Sequence, residues 1–351
     1  MKAWVLHKIG DIRFEEVDKP KVGENEVLVS VKAAGICGSD IPRIYETGAH
    51  NMPIIPGHEF SGQVIEIGSD VDSKWLNKRV GVFPLIPCQK CDLCQKKLYE
   101  MCRNYNYLGS RCNGGFAEYC AVPEWNLIEL PENVTYEQAA MLEPMAVAVH
   151  AIRRADVKPD DTVAVQGLGT IGLLIIMFLK EMGIRNILAI GNKDFQKDAA
   201  IKIGLNEENF CNSKTERVSD FISLKTKRGA DVYFECVGKN ETISCAVDNC
   251  APAGKVVLVG NPYSDISLEK NVYWKILRNQ ITVTGTWNSA FTHDLSDDWH
   301  YVIKKLSERT ISPEVLISHR YNLGLLDRGL DLMNNKMEPY IKIISYNGEQ
   351  Q

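Results

Sequence analysis

Four cysteines stand together as Cys88-x2-Cys91-x2-Cys94-x7-Cys102, and a separate Gly57-His58-Glu59 lies upstream of them. Clustered thiols at two-residue spacing are suited to one tetrahedral zinc ion, and four thiolates leave no coordination position for a substrate. The cluster is therefore read as a structural zinc site, the alternative being a thiol redox switch. His58 points to a second ion with a different task, because a centre with three protein ligands keeps one position open for chemistry. Taken alone, the histidine reads more often as a hydrogen-bonded core residue.

A third pattern is Gly167-Leu168-Gly169-Thr170-Ile171-Gly172, which follows an apolar run and opens an apolar helix-length segment. In that context the glycines allow the backbone to approach a pyrophosphate at a helix N-terminus. The next strand should end in a carboxylate that accepts from the adenosine ribose hydroxyls, but Gly191, Asn192 and Lys193 stand there instead. Losing the carboxylate removes repulsion of a 2′-phosphate, and Lys193 supplies an opposite charge, so NADP(H) is expected in preference to NAD(H). The plainer alternative makes Gly191 a strand end and Lys193 a surface lysine, with Asp194 serving the ribose.

These residues need elements to hold them. Up to about residue 150 the chain has short alternating runs such as Glu26–Val31 and Gln63–Ile67 between turn residues, which predicts a mostly β domain. From about Asp161 apolar strands alternate with amphipathic helix-length segments, as in Thr162–Gln166, Ile171–Met182, Ile187–Ile190 and Phe195–Ile203. That rhythm predicts a parallel sheet with crossover helices, ending near Val283. The expected domains are 1–150, with a zinc lobe at 85–105, then 151–286 for the dinucleotide, and a return of 287–351 to the first domain. The 351 residues include 11 cysteines without a wider pairing pattern, so a reducing compartment, the cytoplasm, is expected. A net charge of -5 without basic blocks argues against a nucleic-acid partner, and no apolar stretch is long enough to span a membrane.

Cys37-Gly38-Ser39-Asp40, Gly57-His58-Glu59-x2-Gly62-x5-Gly68-x2-Val71, the four-cysteine cluster, Gly114-Gly115-Phe116-Ala117-Glu118-Tyr119 and the glycine turn occur in one order across nearly the whole chain. Together they resemble the zinc-dependent medium-chain alcohol dehydrogenases. Glu143-Pro144-Met145-Ala146-Val147-Ala148-Val149-His150 is similar to the polyol dehydrogenase branch. Segments such as Pro42-Arg43-Ile44, Gly48-Ala49-His50, Leu108-Gly109-Ser110-Arg111 and Lys275-Ile276-Leu277-Arg278 resemble members acting on galactitol 1-phosphate, with those acting on arabitol phosphate near.

The resemblance implies an α/β protein with a GroES-like catalytic domain and a Rossmann-type domain, and two zinc ions per chain. Cys37, His58 and Glu143 would hold the catalytic ion, and Cys88, Cys91, Cys94 and Cys102 the structural one. Glu59 has three readings: a direct ligand, a ligand that exchanges with substrate, or a support behind the ligands. The implied reaction is reversible oxidation of a secondary hydroxyl to a ketone, with Ser39 taking the proton and Asp40 fixing His58. Ser39 also reads as a helix N-cap. Many relatives carry a histidine three residues after this serine, where Pro42 stands here, so the later proton route is left open.

A sugar-alcohol phosphate is the leading substrate, and Arg43 and Arg111 are the first candidates for its phosphate, with His50 and Arg278 behind them. Trp287 reads as a pocket wall or as a core tryptophan. The alternatives are an unphosphorylated polyol of the sorbitol or L-iditol type and a silent dinucleotide-binding relative. A homo-oligomer, dimer or tetramer, is expected, with Lys255–Gly260 and Ile281–Gly285 as candidate edges or else interior strands.

Overall fold

The computed structural model describes residues 1–348. The chain divides into two compact units, one formed by Met1–Glu143 with the segment from Ala290 onward, the other by Pro144–Ser289. The expected divisions, after residues 150 and 286, stand seven residues later and three residues earlier than these.

The first unit is built on a seven-stranded sheet whose longest member is Glu26–Ile36. Val27, Val29 and Val31 alternate into the core with Val64, Val80, Val122 and Leu330, which is how the period-two pattern of the sequence is used. Glu59–Ile67 pairs antiparallel along one side of this strand and Lys342–Tyr346 along the other. Gly35 consequently lies opposite both Glu59 and Ile344. The C-terminal segment thus supplies an interior strand of the first domain, far from it in sequence.

Residues 84–112 have little regular structure. Leu85–Ile86 and Asn106–Tyr107 form a two-stranded ribbon, and the only helical pieces here are Asp92–Gln95 and Tyr99–Met101. Such short elements bury little apolar surface by themselves, so a bound metal is the natural staple.

The second unit is a six-stranded, wholly parallel sheet. Its strands are β1 (Thr162–Gln166), β2 (Asn186–Gly191), β3 (Phe210–Asn212), β4 (Ala230–Glu235), β5 (Cys250–Leu258) and β6 (Thr282–Gly285). Their spatial order is β3-β2-β1-β4-β5-β6, the doubly wound arrangement in which ligands bind beyond the carboxyl ends of the strands. Ala164, Leu188, Ile190, Tyr233 and Val256 anchor its core. β5 lies between β4 and β6, so Lys255–Gly260 contributes to an interior strand. β6 is the outer strand, with one side unpaired among the described residues.

Candidate functional site

Cys37 follows directly on the strand Glu26–Ile36, and the adjoining strand begins at Glu59, immediately after His58. Their adjacency in the sheet brings one donor atom each from Cys37, His58 and Glu59 within 4.8 Å of one another. A thiolate, an imidazole and a carboxylate match the donor chemistry of a zinc ion with an open position. His58 Nδ1 lies 3.3 Å from Asp40 Oδ1, without the alignment of a good hydrogen bond. The Cys37 backbone N–H donates to Asp40 Oδ2 at 3.0 Å, and Arg43 donates to Oδ1 at 2.5 Å. Burial works to raise the Asp40 pKa, but the charges of His58 and Arg43 and these hydrogen bonds outweigh it and lower it overall.

Ser39 donates its hydroxyl to Cys37 Sγ at 3.3 Å and makes no capping bond to its own short helix. The hydroxyl is therefore aimed at the metal donors and does not satisfy a helix end. Glu59 Oε2 is paired with Lys342, which also donates to the Ile36 carbonyl at 3.1 Å. Lys342 has 2% of its side chain exposed, so this is a buried ion pair. Glu143, the residue expected as the third ligand, is not in the tight cluster of three. It lies in the first turn of the helix Leu142–Ala155, and Tyr107 donates to its Oε1 at 3.4 Å. Burial pushes Glu143 up to about 7, and the nearby negative charge of Glu59 adds to that. Burial likewise raises Tyr107 well above the usual phenol range, keeping it a neutral donor.

Lys342 and Tyr107 were not singled out in the sequence. A lysine followed by buried Ile343 and Ile344 in one strand was the available signal for the first, since such a strand buries a cation only against a partner. Tyr107 carried none.

Four further cysteines form the second donor cluster. Sγ atoms of Cys88, Cys91, Cys94 and Cys102 all lie within 4.8 Å of one another, with Cys91 to Cys94 at 3.5 Å and Cys88 to Cys94 at 4.0 Å. A tetrahedron with Zn–S bonds of about 2.3 Å has edges of about 3.8 Å, so the four sulfurs fit the ion. Backbone N–H groups, Arg103 first, hold the Cys91 thiol down at about 6, while burial pushes Cys94 up to about 12.

In the second unit the glycine turn joins β1 to the helix Thr170–Glu181, and each glycine has its own reason. Gly167 has φ +96°, Gly172 packs against the Gly167 carbonyl, and Gly169 has open space where a Cβ would stand. The open place is where a pyrophosphate can approach the helix N-terminus, so the turn fits a dinucleotide. Thr170 and Ile171 are the first residues of that helix. Gly191 ends β2, its carbonyl accepting from the Ser213 backbone at 2.8 Å and hydroxyl at 3.1 Å. The Asn192 N–H is held by Gln196 at 3.3 Å. Lys193 is exposed, with its ammonium 5.4 Å from the centre of the Phe195 ring.

The phosphate candidates separate. Arg43 is engaged with Asp40, whereas the Arg111 guanidinium stacks 4.3 Å over Tyr105, whose ring lies 6.3 Å from that of Tyr107. Arg278 stacks over Trp274 at 4.7 Å in the second unit, and His50 is exposed. Trp287 is 55% exposed and so is no core residue.

Comparison with known proteins agrees with this architecture. Residues 23–132 match the alcohol dehydrogenase GroES-like domain, and residues 170–308 match the zinc-binding dehydrogenase family. Galactitol 1-phosphate 5-dehydrogenase of Escherichia coli K12 is 34% identical over 98% of this chain and 100% of its own. The crystal structure of galactitol-1-phosphate dehydrogenase from Escherichia coli superposes with a TM-score of 0.92 at 33% identity, covering 99% of this chain and 100% of that one. A zinc-binding dehydrogenase of Sinorhizobium meliloti 1021 bound to NADP has a TM-score of 0.89 at 27% identity, covering 98% of both chains. An alcohol dehydrogenase of Escherichia coli CFT073 complexed with NADH also has a TM-score of 0.89 at 27% identity, covering 99% of both. No helix among the described residues is long and apolar enough to cross a membrane.

Proposed function

Because the chain belongs to the zinc-binding alcohol dehydrogenases, with their GroES-like and Rossmann-type domains, we propose that it oxidises a secondary hydroxyl of a polyol to the ketone, reversibly, with NADP(H). The observation that carries this reading is the convergence of Cys37, His58 and Glu59 beside Ser39. A zinc ion bound there would polarise a substrate hydroxyl and lower its pKa, and a nicotinamide would accept the hydride.

The chain's own residues do the rest. Cys37 and His58 bind the ion, His58 through Nε2, since Nδ1 faces Asp40. Glu59, whose Oε2 is paired with Lys342, would be the third donor, and Glu143, which accepts from Tyr107, a further carboxylate for the ion. Ser39 takes the substrate proton as its hydroxyl passes its own on towards solvent. The four-cysteine lobe carries a second, structural ion, making two per chain. Lys193 meets the adenosine 2′-phosphate of NADP, supported by the absence of a carboxylate at the end of β2.

The substrate is a sugar-alcohol phosphate. Support comes from the likeness to galactitol 1-phosphate 5-dehydrogenase and from Arg111, whose guanidinium has no carboxylate partner among the described residues. Trp287 offers an exposed apolar surface for the polyol chain. The protein assembles as a homo-oligomer through the free edge of β6. A monomeric mass in sedimentation would end that part of the proposal.

The deciding experiment is initial rate with NADP and with NAD on pentitols and hexitols, each with and without a terminal phosphate. Faster turnover of phosphorylated polyols with NADP is expected. Equal rates without the phosphate would favour a sorbitol-type enzyme, a preference for NAD would remove the role given to Lys193, and no turnover by zinc-loaded protein would favour a silent relative.

A further inference from the structure

Asp40 is completely buried at the point where the metal donors meet, and three groups share its carboxylate. Oδ2 accepts from the Cys37 backbone N–H at 3.0 Å. Oδ1 faces His58 Nδ1 at 3.3 Å and accepts from the Arg43 guanidinium at 2.5 Å. One oxygen thus serves both the cation and the imidazole, while the other holds the backbone of the second metal donor. Arg43 lies three residues beyond Asp40 on the same short helical turn, and only 18% of its side chain is exposed.

A buried carboxylate facing only a neutral imidazole and one amide would be poorly compensated, and it would turn towards whatever donors it could find. The Arg43 guanidinium supplies the missing charge and fixes the plane of the carboxylate. Fixing that plane fixes both the ring of His58 and the backbone that carries Cys37. Outer partners of this kind orient a ligating histidine and set its basicity.

Building on the zinc site proposed above, we infer that Arg43 is a positioning residue of that site, acting through Asp40 on His58 and Cys37, and that it does not anchor the substrate's phosphate. Its segment resembles phosphate-using relatives, yet its charge is already spent inside the protein.

The test compares Arg43→Gln, Arg43→Lys and Asp40→Asn in the full-length protein. Metal retention at the catalytic site is read by equilibrium dialysis against a chelator and by the visible spectrum of the cobalt-substituted protein. Kinetic constants are read for a phosphorylated polyol and its unphosphorylated counterpart. Arg43→Gln is expected to weaken catalytic-site metal binding by roughly 10- to 100-fold and to alter the cobalt spectrum, with the lysine variant in between. The zinc of the cysteine lobe should stay bound, which also reports that the fold persists. kcat should fall alike for both substrates, and Arg43→Gln added to Asp40→Asn should cost little more than Asp40→Asn alone.

Unchanged metal binding and spectrum, with KM raised only for the phosphorylated substrate, would overturn the inference and make Arg43 the phosphate anchor. Unchanged metal binding with unchanged kinetics would overturn it too, leaving an inert ion pair. Should Arg43→Gln fail to fold, the lysine variant decides by the same two readouts. If the wild type turns over no polyol, the metal measurements still judge Arg43 while the functional reading fails separately.

Discussion

The side chains around Cys37 divide into those that touch the reaction and those that hold them. Ser39 is of the first kind, because its hydroxyl contacts Cys37 Sγ and caps nothing. Ser39→Ala is therefore expected to leave stability and zinc content intact while lowering kcat by roughly 100-fold or more, the usual scale for a lost proton acceptor. An unchanged kcat would remove the serine from the mechanism. Lys342 is of the second kind. In the zinc-free protein, replacing it with Met leaves the Glu59 carboxylate buried without its partner, which should cost about 3–5 kcal/mol in denaturant unfolding. A loss below about 1 kcal/mol, the level of an exposed pair, would show that Glu59 is compensated by something else. Cys37 and His58 were legible in the sequence as candidate metal donors because of their family spacing, and the structure brings them together. Lys342 was not, because it stands 283 positions from Glu59 and the pairing exists only once two strands flank a third.

At the scale of elements, that third strand decides whether the ion pair can exist. Lys342 reaches Glu59 across Glu26–Ile36 at Gly35, where an added Cβ would run into the Glu59 carboxylate and come within 2.8 Å of Lys342 Cε. The lysine cannot simply swing aside, since it is also held by the Ile36 carbonyl. Gly35→Ala is expected to destabilise by about 1–3 kcal/mol from overpacking and to weaken catalytic zinc binding, read together by thermal melting and metal analysis. A melt identical to wild type would mean that the strands absorb the methyl. In the other unit, the turn after β2 carries the cofactor choice. Lys193→Ala should lower the preference for NADP over NAD by about 10-fold, the value of one charge-assisted contact, with rates on NAD unchanged. No change in the ratio would make Lys193 an ordinary surface residue. Strands β1 and β2 and the helices after them were readable as apolar runs with sharp ends. The three-residue β3 and the helices Val218–Lys225 and Asn240–Asn249 were not, because β3 is too short to show a period and the helices bury only part of one face. Neither was the interior place of β5, which depends on β6 joining the sheet beyond it.

For the whole molecule, the change of rhythm near Asp161 announced two units, and their separation follows from two independent cores. The return of the chain to the first unit was expected from residue 287 onward, but nothing local in Lys342–Tyr346 says which sheet it will join. The central claim is that the same unit holds two metal centres with different duties, one closed by four thiolates and one left open beside Ser39. Zinc per chain, measured alongside polyol oxidation in the wild type and in Cys37→Ser, tests it most directly. The account predicts about two ions and turnover in the wild type, and about one ion, a folded protein and no turnover in the variant. Two ions retained by Cys37→Ser, or full turnover by a chain carrying one, would contradict it.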